Sequence, residues 1–396
     1  MINISRLLKV RETAQDVEKH HNKRAHEVPK HLVRYANSKV PMVIWNITRK
    51  CNFSCNMCHL DSALEADSDE LTTQEAIEFI DQMASMSVPL VSVYGGEPLT
   101  RDDFFTLAGH AHNKGLRIIL SSNVALITKK TAGEIAESGI SYVGIDLDGL
   151  AQIGGDMDVI AGLEKALPAM ERLRDAMVGC GVRITIGSFN LSQMPSIIKA
   201  IENTGLKRFA ICQHLEGKDW KALKEERREI MDFLIDYAMK NPEMEVVTEN
   251  FYADGVYLLQ RVAKHEPERA AEMERLLAMQ GGCPAGDRIV NVDYRGNVHL
   301  CPYWQSRTIG NIREQKLSDI WSDEENEILA MMRDKTHYLK GMCGRCRRNH
   351  LCMGCGARAE VMCGDPSEED PACYAHDSRA AKRGITTLKE TARNSR

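Results

Sequence analysis

Thirteen cysteines, most of them in two tight groups, constrain this 396-residue chain more than any other feature. Three stand at Cys51, Cys55 and Cys58, two stand apart at Cys180 and Cys212, and eight fall between Cys283 and Cys373. Cysteines used as small core residues would be sprinkled evenly. A reducing compartment does not keep such a density as structural disulfides, so the grouping points to metal. The start, Met1 to Val10, has no long apolar core and no small-residue cleavage site, and no apolar run approaches ~20 residues. The chain therefore reads as cytoplasmic, with no membrane span. Its 43% apolar content is enough for a full core, and a formal charge of −5 gives no general reason to bind nucleic acid.

Three segments are expected. Residues 1–40 form a helical or flexible lead, dense in Lys19, His20, His21, Lys23, Arg24, His26, Lys30 and His31. They read as a solvated amphipathic helix, or as a flap offering cations to an anionic substrate. From 41 to 250, β-branched runs recur at Val43–Trp45, Leu90–Tyr94, Leu116–Leu120, Tyr142–Ile145, Val182–Ile186 and Phe209–Cys212. Helical patterns separate most of them. Thr72 to Glu75 is a capping box, with Ala76, Ile77, Ile80 and Met83 on one face behind it. Gly115, Gly139 and Gly205 end helices before the next strand. Six βα units in about 200 residues imply an α/β fold, a parallel sheet curled into a partial (β/α)6 TIM-like barrel. Residues 251–396 hold the cysteine-rich auxiliary domain. Long helical patterns run from about Ala222 to Lys240 and from about Glu266 to Gln280, and a hairpin spans Val290 to Leu300 about Arg295-Gly296-Asn297.

The first cysteine group is CxxxCxxC directly after the first strand of that run. Three thiolates on a loop at a strand's C-terminal end suit one face of a 4Fe–4S cluster, leaving one iron open. A structural zinc would want a fourth ligand at knuckle spacing, and none is there. His59 is the alternative fourth ligand, but it is adjacent to Cys58 and poorly placed.

On these residues the chain resembles the radical S-adenosylmethionine (SAM) enzymes, whose CxxxCxxC cluster binds SAM at its open iron. Tyr94-Gly95-Gly96-Glu97-Pro98-Leu99 is similar to that family's GGEP segment, which bonds the SAM amino group. Ser121-Ser122-Asn123 resembles the Ser-Thr-Asn-Gly beside SAM, with Val124 replacing the Gly. Gly144 to Gly149 resembles the segment after the fourth strand, with Asp146 where a Ser often meets the ribose. Met57 stands where an aromatic is usual. The resemblance implies reductive cleavage of SAM to a 5′-deoxyadenosyl radical that abstracts hydrogen from substrate. It also implies a low-potential electron donor such as ferredoxin or flavodoxin.

The second group resembles SPASM, an extension that holds auxiliary 4Fe–4S clusters. Cys283 and Cys301 flank Gly296, and Cys343, Cys346, Cys352, Cys355, Cys363 and Cys373 follow. The last step of the central motif is x2 here, where x3 is usual. The resemblance places Cys343, Cys346, Cys352 and Cys373 on one cluster and Cys283, Cys301 and Cys355 on another. Cys363 is either the fourth ligand of that second site or a free thiol. Cys180 and Cys212 read as core residues, and a zinc ribbon is the alternative for the four-cysteine spacing.

From Val43 nearly to the end, the chain looks most like the group that modifies siroheme-derived tetrapyrroles in heme biosynthesis. The likeness includes Ala253 to Leu259, Arg295 to His299, Ile309 to Trp321 and Gly364 to Tyr374. Tyr252 stands where deacetylase-like members carry His. Arg183, Lys207 and Arg208 are candidate partners for the carboxylates of such a macrocycle. A peptide- or protein-modifying SPASM maturase and a non-catalytic iron–sulfur redox protein are the alternatives.

Overall fold

The computed structural model describes residues 1–9, 40–56, 58, 60, 62–152, 157–187, 189–213 and 220–375. Met57, His59 and the basic cluster between Lys19 and His31 lie outside the described residues.

The β-branched runs become strands because their alternate side chains must be buried between a sheet and its helices. In chain order the strands are β1 (Ile2–Asn3), β2 (Met42–Asn46), β3 (Val91–Tyr94), β4 (Ile118–Ser122), β5 (Tyr142–Asp146), β6 (Gly179–Ile186), β7 (Arg208–Gln213), β8 (Glu245–Thr248), β9 (Ile289–Val292), β10 (Asn297–His299) and β11 (Thr308–Asn311). Among the described residues they form one sheet in the order β1-β8-β7-β6-β5-β4-β3-β2-β9-β10-β11. Pairing is parallel from β8 across to β9 and antiparallel at both ends. The six strands read from sequence are β2 to β7. This is the partial TIM-like barrel, with its tail hairpin β9–β10 joined to the same sheet.

The connecting helices follow local signals. Helix Thr73–Ser85 starts at the Thr72–Glu75 capping box, and its buried face is Ala76, Phe79, Ile80 and Met83. Phe79 takes the place expected for Ile77, because the ring packs edge-on against Trp45 of β2 at 5.2 Å. Helices Trp220–Lys240 and Pro267–Gln280 fall where the pattern put them, the second ending on left-handed Gly281. Among the described residues no helix is long and apolar enough to cross a membrane.

At the far edge, β1 pairs with β8, and the Ser5 hydroxyl donates to the Met244 carbonyl at 2.7 Å. Ile2, Ile4, Leu7 and Leu8 are buried there. Parallel strands bring all their C-terminal ends to one rim, and the loops after β2, β3, β4 and β5 meet on it.

Candidate active site

The first cysteine loop leaves the end of β2. The Cys51 N–H donates to Ala63 O at 2.7 Å, the Cys58 N–H donates to Cys55 O at 3.1 Å, and Cys58 Sγ lies 2.7 Å from Ser62 Oγ. Burial pushes the Cys55 thiol up to about 12, with the neighbouring Cys51 and Cys58 adding to it. Cys51 is also raised, by burial first, while the Phe53 N–H aimed at its sulfur opposes the shift. Left free, the Cys51 and Cys55 thiols stay protonated. Holding them as thiolates requires a cation that they ligate together.

The loop is fastened by backbone. Gly96 and Glu97 donate their N–H groups to Thr48 O and Lys50 O, both at 2.8 Å. A Cβ on Gly96 would stand 2.1 Å from Lys50 O, and Gly95 has φ +136°. The two glycines are thus required by close approach of the second loop to the first. A Cβ on Gly149 would likewise stand 2.5 Å from the Phe53 ring, so this glycine makes room for the cysteine loop.

Glu97 turns away from the open rim. It is fully buried, and its carboxylate accepts from Ser122 Oγ at 3.0 Å, Asn123 N at 2.8 Å and Leu99 N at 3.2 Å. Burial raises its carboxyl to about 7. Asn123 passes the tie onward, donating Nδ2 to Asn52 Oδ1 at 2.7 Å, with Cys51 Sγ 4.0 Å away. Glu97, Ser122 and Asn123 therefore form a brace behind the cysteines, with Pro98 starting the next turn. Val124 adopts φ +59°, the conformation that a Gly would hold without strain.

Asp146, at the end of β5, is engaged by Arg183 at 2.6 Å. Arg183 also reaches Glu249 at 3.0 Å, with Asp148 at 3.9 Å. Arg183 is thus held within the protein by Glu249 through Nε and by Asp146 through Nη1, where the sequence reading offered it to a substrate carboxylate. Lys207 and Arg208 sit at the opposite rim, because they begin β7, and Arg208 lies 3.7 Å from Glu245. Around Arg183, the described carboxylates Asp146, Asp148 and Glu249 outnumber it.

The tail cysteines form two trios. Cys343, Cys352 and Cys373 line a small cavity with Asp370, Arg358 and Tyr252. Cys283, Cys301 and Cys355 are mutual neighbours: burial raises Cys301, and Cys283 and Cys355 raise it further. Backbone N–H groups point at these sulfurs, Asp370 at Cys343 (3.4 Å), Tyr303 at Cys301 and Gly354 at Cys352. Such donors favour the thiolate and suit iron–sulfur ligation. Cys346 lies one turn past Cys343, its N–H on the Cys343 carbonyl at 3.2 Å. Cys363 joins neither trio. It is exposed at the end of helix Gly356–Cys363, whose N-cap is Cys355, about 12 Å along the axis at ~1.5 Å per residue. All thirteen cysteines are free thiols, and no three His, Cys, Asp or Glu among the described residues converge as a single-ion site.

Sequence reasoning missed Tyr303, two residues past Cys301. Burial raises its phenol, next to Cys212, Arg183, Glu249 and Tyr94, so the tail reaches the barrel mouth here. Its closeness to a cluster cysteine was the available signal. Cys212 is buried as expected, with its thiol pushed up to about 11 by burial and Asn250 Nδ2 at 2.8 Å.

The comparisons agree with this geometry. The model of the Radical SAM superfamily matches residues 45–201, and that of SPASM, an iron–sulfur cluster-binding domain, matches residues 283–347. In fold the chain resembles Streptococcus suis SuiB bound to S-adenosylmethionine, with TM-score 0.65 and 16% identity over 91% of this chain and 87% of that one. The chain belongs to the radical SAM superfamily and is an enzyme of that class with a SPASM extension; a 4Fe–4S cluster, SAM and auxiliary clusters are the cofactors of such proteins. It is 34% identical to the Fe-coproporphyrin III synthase of Methanosarcina barkeri, over 88% of this chain and 91% of that protein. It is also 34% identical to the pre-heme d1 synthase of Dinoroseobacter shibae, over 91% and 92%. Within the class, it belongs with the group that contains these two synthases.

Proposed function

We propose that the chain modifies a carboxylate side chain of a siroheme-derived tetrapyrrole in heme biosynthesis. The observation that carries this reading is the 34% identity to two tetrapyrrole synthases across about nine-tenths of each protein. Cys51, Cys55 and Cys58 would hold the SAM-binding cluster, Cys343, Cys346, Cys352 and Cys373 one auxiliary cluster, and Cys283, Cys301 and Cys355 another. With three protein thiols, that last site would leave a position for water or substrate.

The bound cluster and SAM supply the one-electron chemistry that opens an unactivated C–H bond. The chain's own residues orient and exclude. The Gly95-Gly96 backbone would meet SAM's amino end beside the cysteine loop, and the Glu97–Ser122–Asn123 brace holds that loop in place. Asp146, held by Arg183 at 2.6 Å, would meet the ribose of bound SAM. Tyr303 brings the tail beside Arg183 and Glu249 at the mouth, where it would border a bound substrate. The electron would come from a low-potential donor such as ferredoxin or flavodoxin, in the reducing cytoplasm where free thiols persist.

The test is anaerobic turnover of reconstituted enzyme with siroheme derivatives, SAM and reductant. Tetrapyrrole-dependent 5′-deoxyadenosine and a matching mass loss are expected. If 5′-deoxyadenosine forms only with a peptide, or with no tetrapyrrole at all, the reading fails.

A further inference from the structure

The two tail trios meet at a single crossover. The chain passes from Cys352 of one trio to Cys355 of the other through Met353 and Gly354, both at left-handed φ, 62° and 60°. A Cβ on Gly354 would stand 3.3 Å from Cys343 Sγ, so the crossover is packed against the first trio. As ligands, these sulfurs bring negative charge into a region where burial alone pushes each free thiol up. Charge held in such surroundings needs a fixed counter-charge.

Two cations are buried there. Arg358 is already neutralised, because both oxygens of Asp370 accept from it at 2.9 and 2.6 Å. Lys335 is different. It is 1% exposed, and the one hydrogen bond of its side chain among the described residues runs to the Gly354 carbonyl at 3.4 Å. No carboxylate forms an ion pair with it among the described residues. Its positive charge acts on Cys301 and Cys355 of one trio, on Cys343 of the other, and on Asp370, which Arg358 already pairs. An ammonium is costly to bury without a partner, and the Asp370 carboxylate near it is already held by Arg358, so ligating thiolates are the negative charge that remains for it.

We propose that Lys335 is the shared counter-charge of the two auxiliary cluster sites, its ammonium at the Gly354 crossover offsetting thiolate charge on both sides. A positive charge favours the more negative, reduced state of a cluster, so Lys335 holds both auxiliary midpoint potentials up. The inference rests on the cluster assignment given above.

The experiment uses the full chain, reconstituted with iron and sulfide, in a background where Cys51, Cys55 and Cys58 are alanine, so that only tail clusters are seen. Iron content and reduction midpoints, followed by electron paramagnetic resonance, are compared for Lys335, Lys335→Met and Lys335→Arg. Lys335→Met should lower the reduced-to-oxidised ratio at a fixed potential by at least about tenfold, a fall of ~59 mV for a one-electron couple. Lys335→Arg should restore it. If Lys335→Met assembles no tail iron while Lys335→Arg assembles it fully, the counter-charge is equally supported. Full iron with unmoved potentials in Lys335→Met overturns the proposal, as does loss of iron in both variants, which would mean a packing role. Tail sites empty of iron even with Lys335 in place would instead defeat the cluster assignment beneath it.

Discussion

Glu97 illustrates what a single residue does in this site. Its carboxylate collects three donors from two different loops and places none of its atoms on the open rim. Glu97→Ala would strand the Ser122 hydroxyl and the Asn123 N–H in the interior, each at about 1–3 kcal/mol. We expect thermal unfolding of the apo-protein to show a loss of ~2 kcal/mol or more, with SAM cleavage falling alongside. Glu97→Gln keeps an acceptor oxygen and should lose much less on both measures. Gly96→Ala makes a sharper test. Its new Cβ would meet Lys50 O at 2.1 Å and push the cysteine loop outward. Iron analysis with Mössbauer spectra should find the SAM-site iron depleted and the tail iron intact; equal loss from both regions would contradict this account. The motifs around these residues were legible in sequence, because ligand spacing and paired glycines are local. Their division of labour was not. Arg183 looked like a free cation since its partners Asp146 and Glu249 lie 37 and 66 residues away. Nothing in the local sequence Arg-Asp-Lys-Thr-His marks Lys335 as buried.

At the scale of one element, helix Thr73–Ser85 links the barrel to the tail. Thr72 and Glu75 cap it reciprocally, and Arg313 from the tail donates Nε to Glu75 at 2.7 Å. The Arg313 bond and the Thr72 N–H hold the Glu75 carboxyl down at about 2, against its usual 4.5. A lowered carboxyl stabilises the fold above its ordinary range and loses that contribution as pH falls from 4.5 towards about 2. Solvent screening keeps the contribution small, under about 1 kcal/mol. Acid titration of the apo-protein's melting temperature should therefore be slightly flatter below pH 4.5 for Glu75→Gln than for the parent. An unchanged slope would show that the Glu75 carboxyl is not held down by Arg313 and Thr72 in solution. The capping box was legible because both halves lie within four residues. The Arg313 contact, 238 residues away, could not be. Strand β8 escaped for a related reason. It is four residues long, and only pairing with β7 and β1 makes it a strand.

Across the whole molecule, the barrel and the tail share a sheet, and this sets what can be removed. β9 pairs with β2 in parallel from Met42↔Ile289 to Trp45↔Val292, and Asn291 Nδ2 donates to Ile44 O at 2.9 Å. Val43, Trp45, Val290 and Val292 are all buried at this seam. A chain ended after residue 282 would leave β2 as an exposed edge, a row of open N–H and C=O groups flanked by apolar side chains. Such an edge templates aggregation. We expect that truncated chain to be insoluble on anaerobic expression. A full-length chain with Cys343, Cys352 and Cys373 changed to alanine should stay monodisperse on size exclusion and keep its SAM-site iron, since β9 to β11 remain to cover the edge. The two constraints are separable because the seam is held by backbone and apolar packing, while the thiols sit beyond it. If the triple variant aggregated as the truncation does, iron at the tail rather than strand β9 would be what keeps the barrel folded.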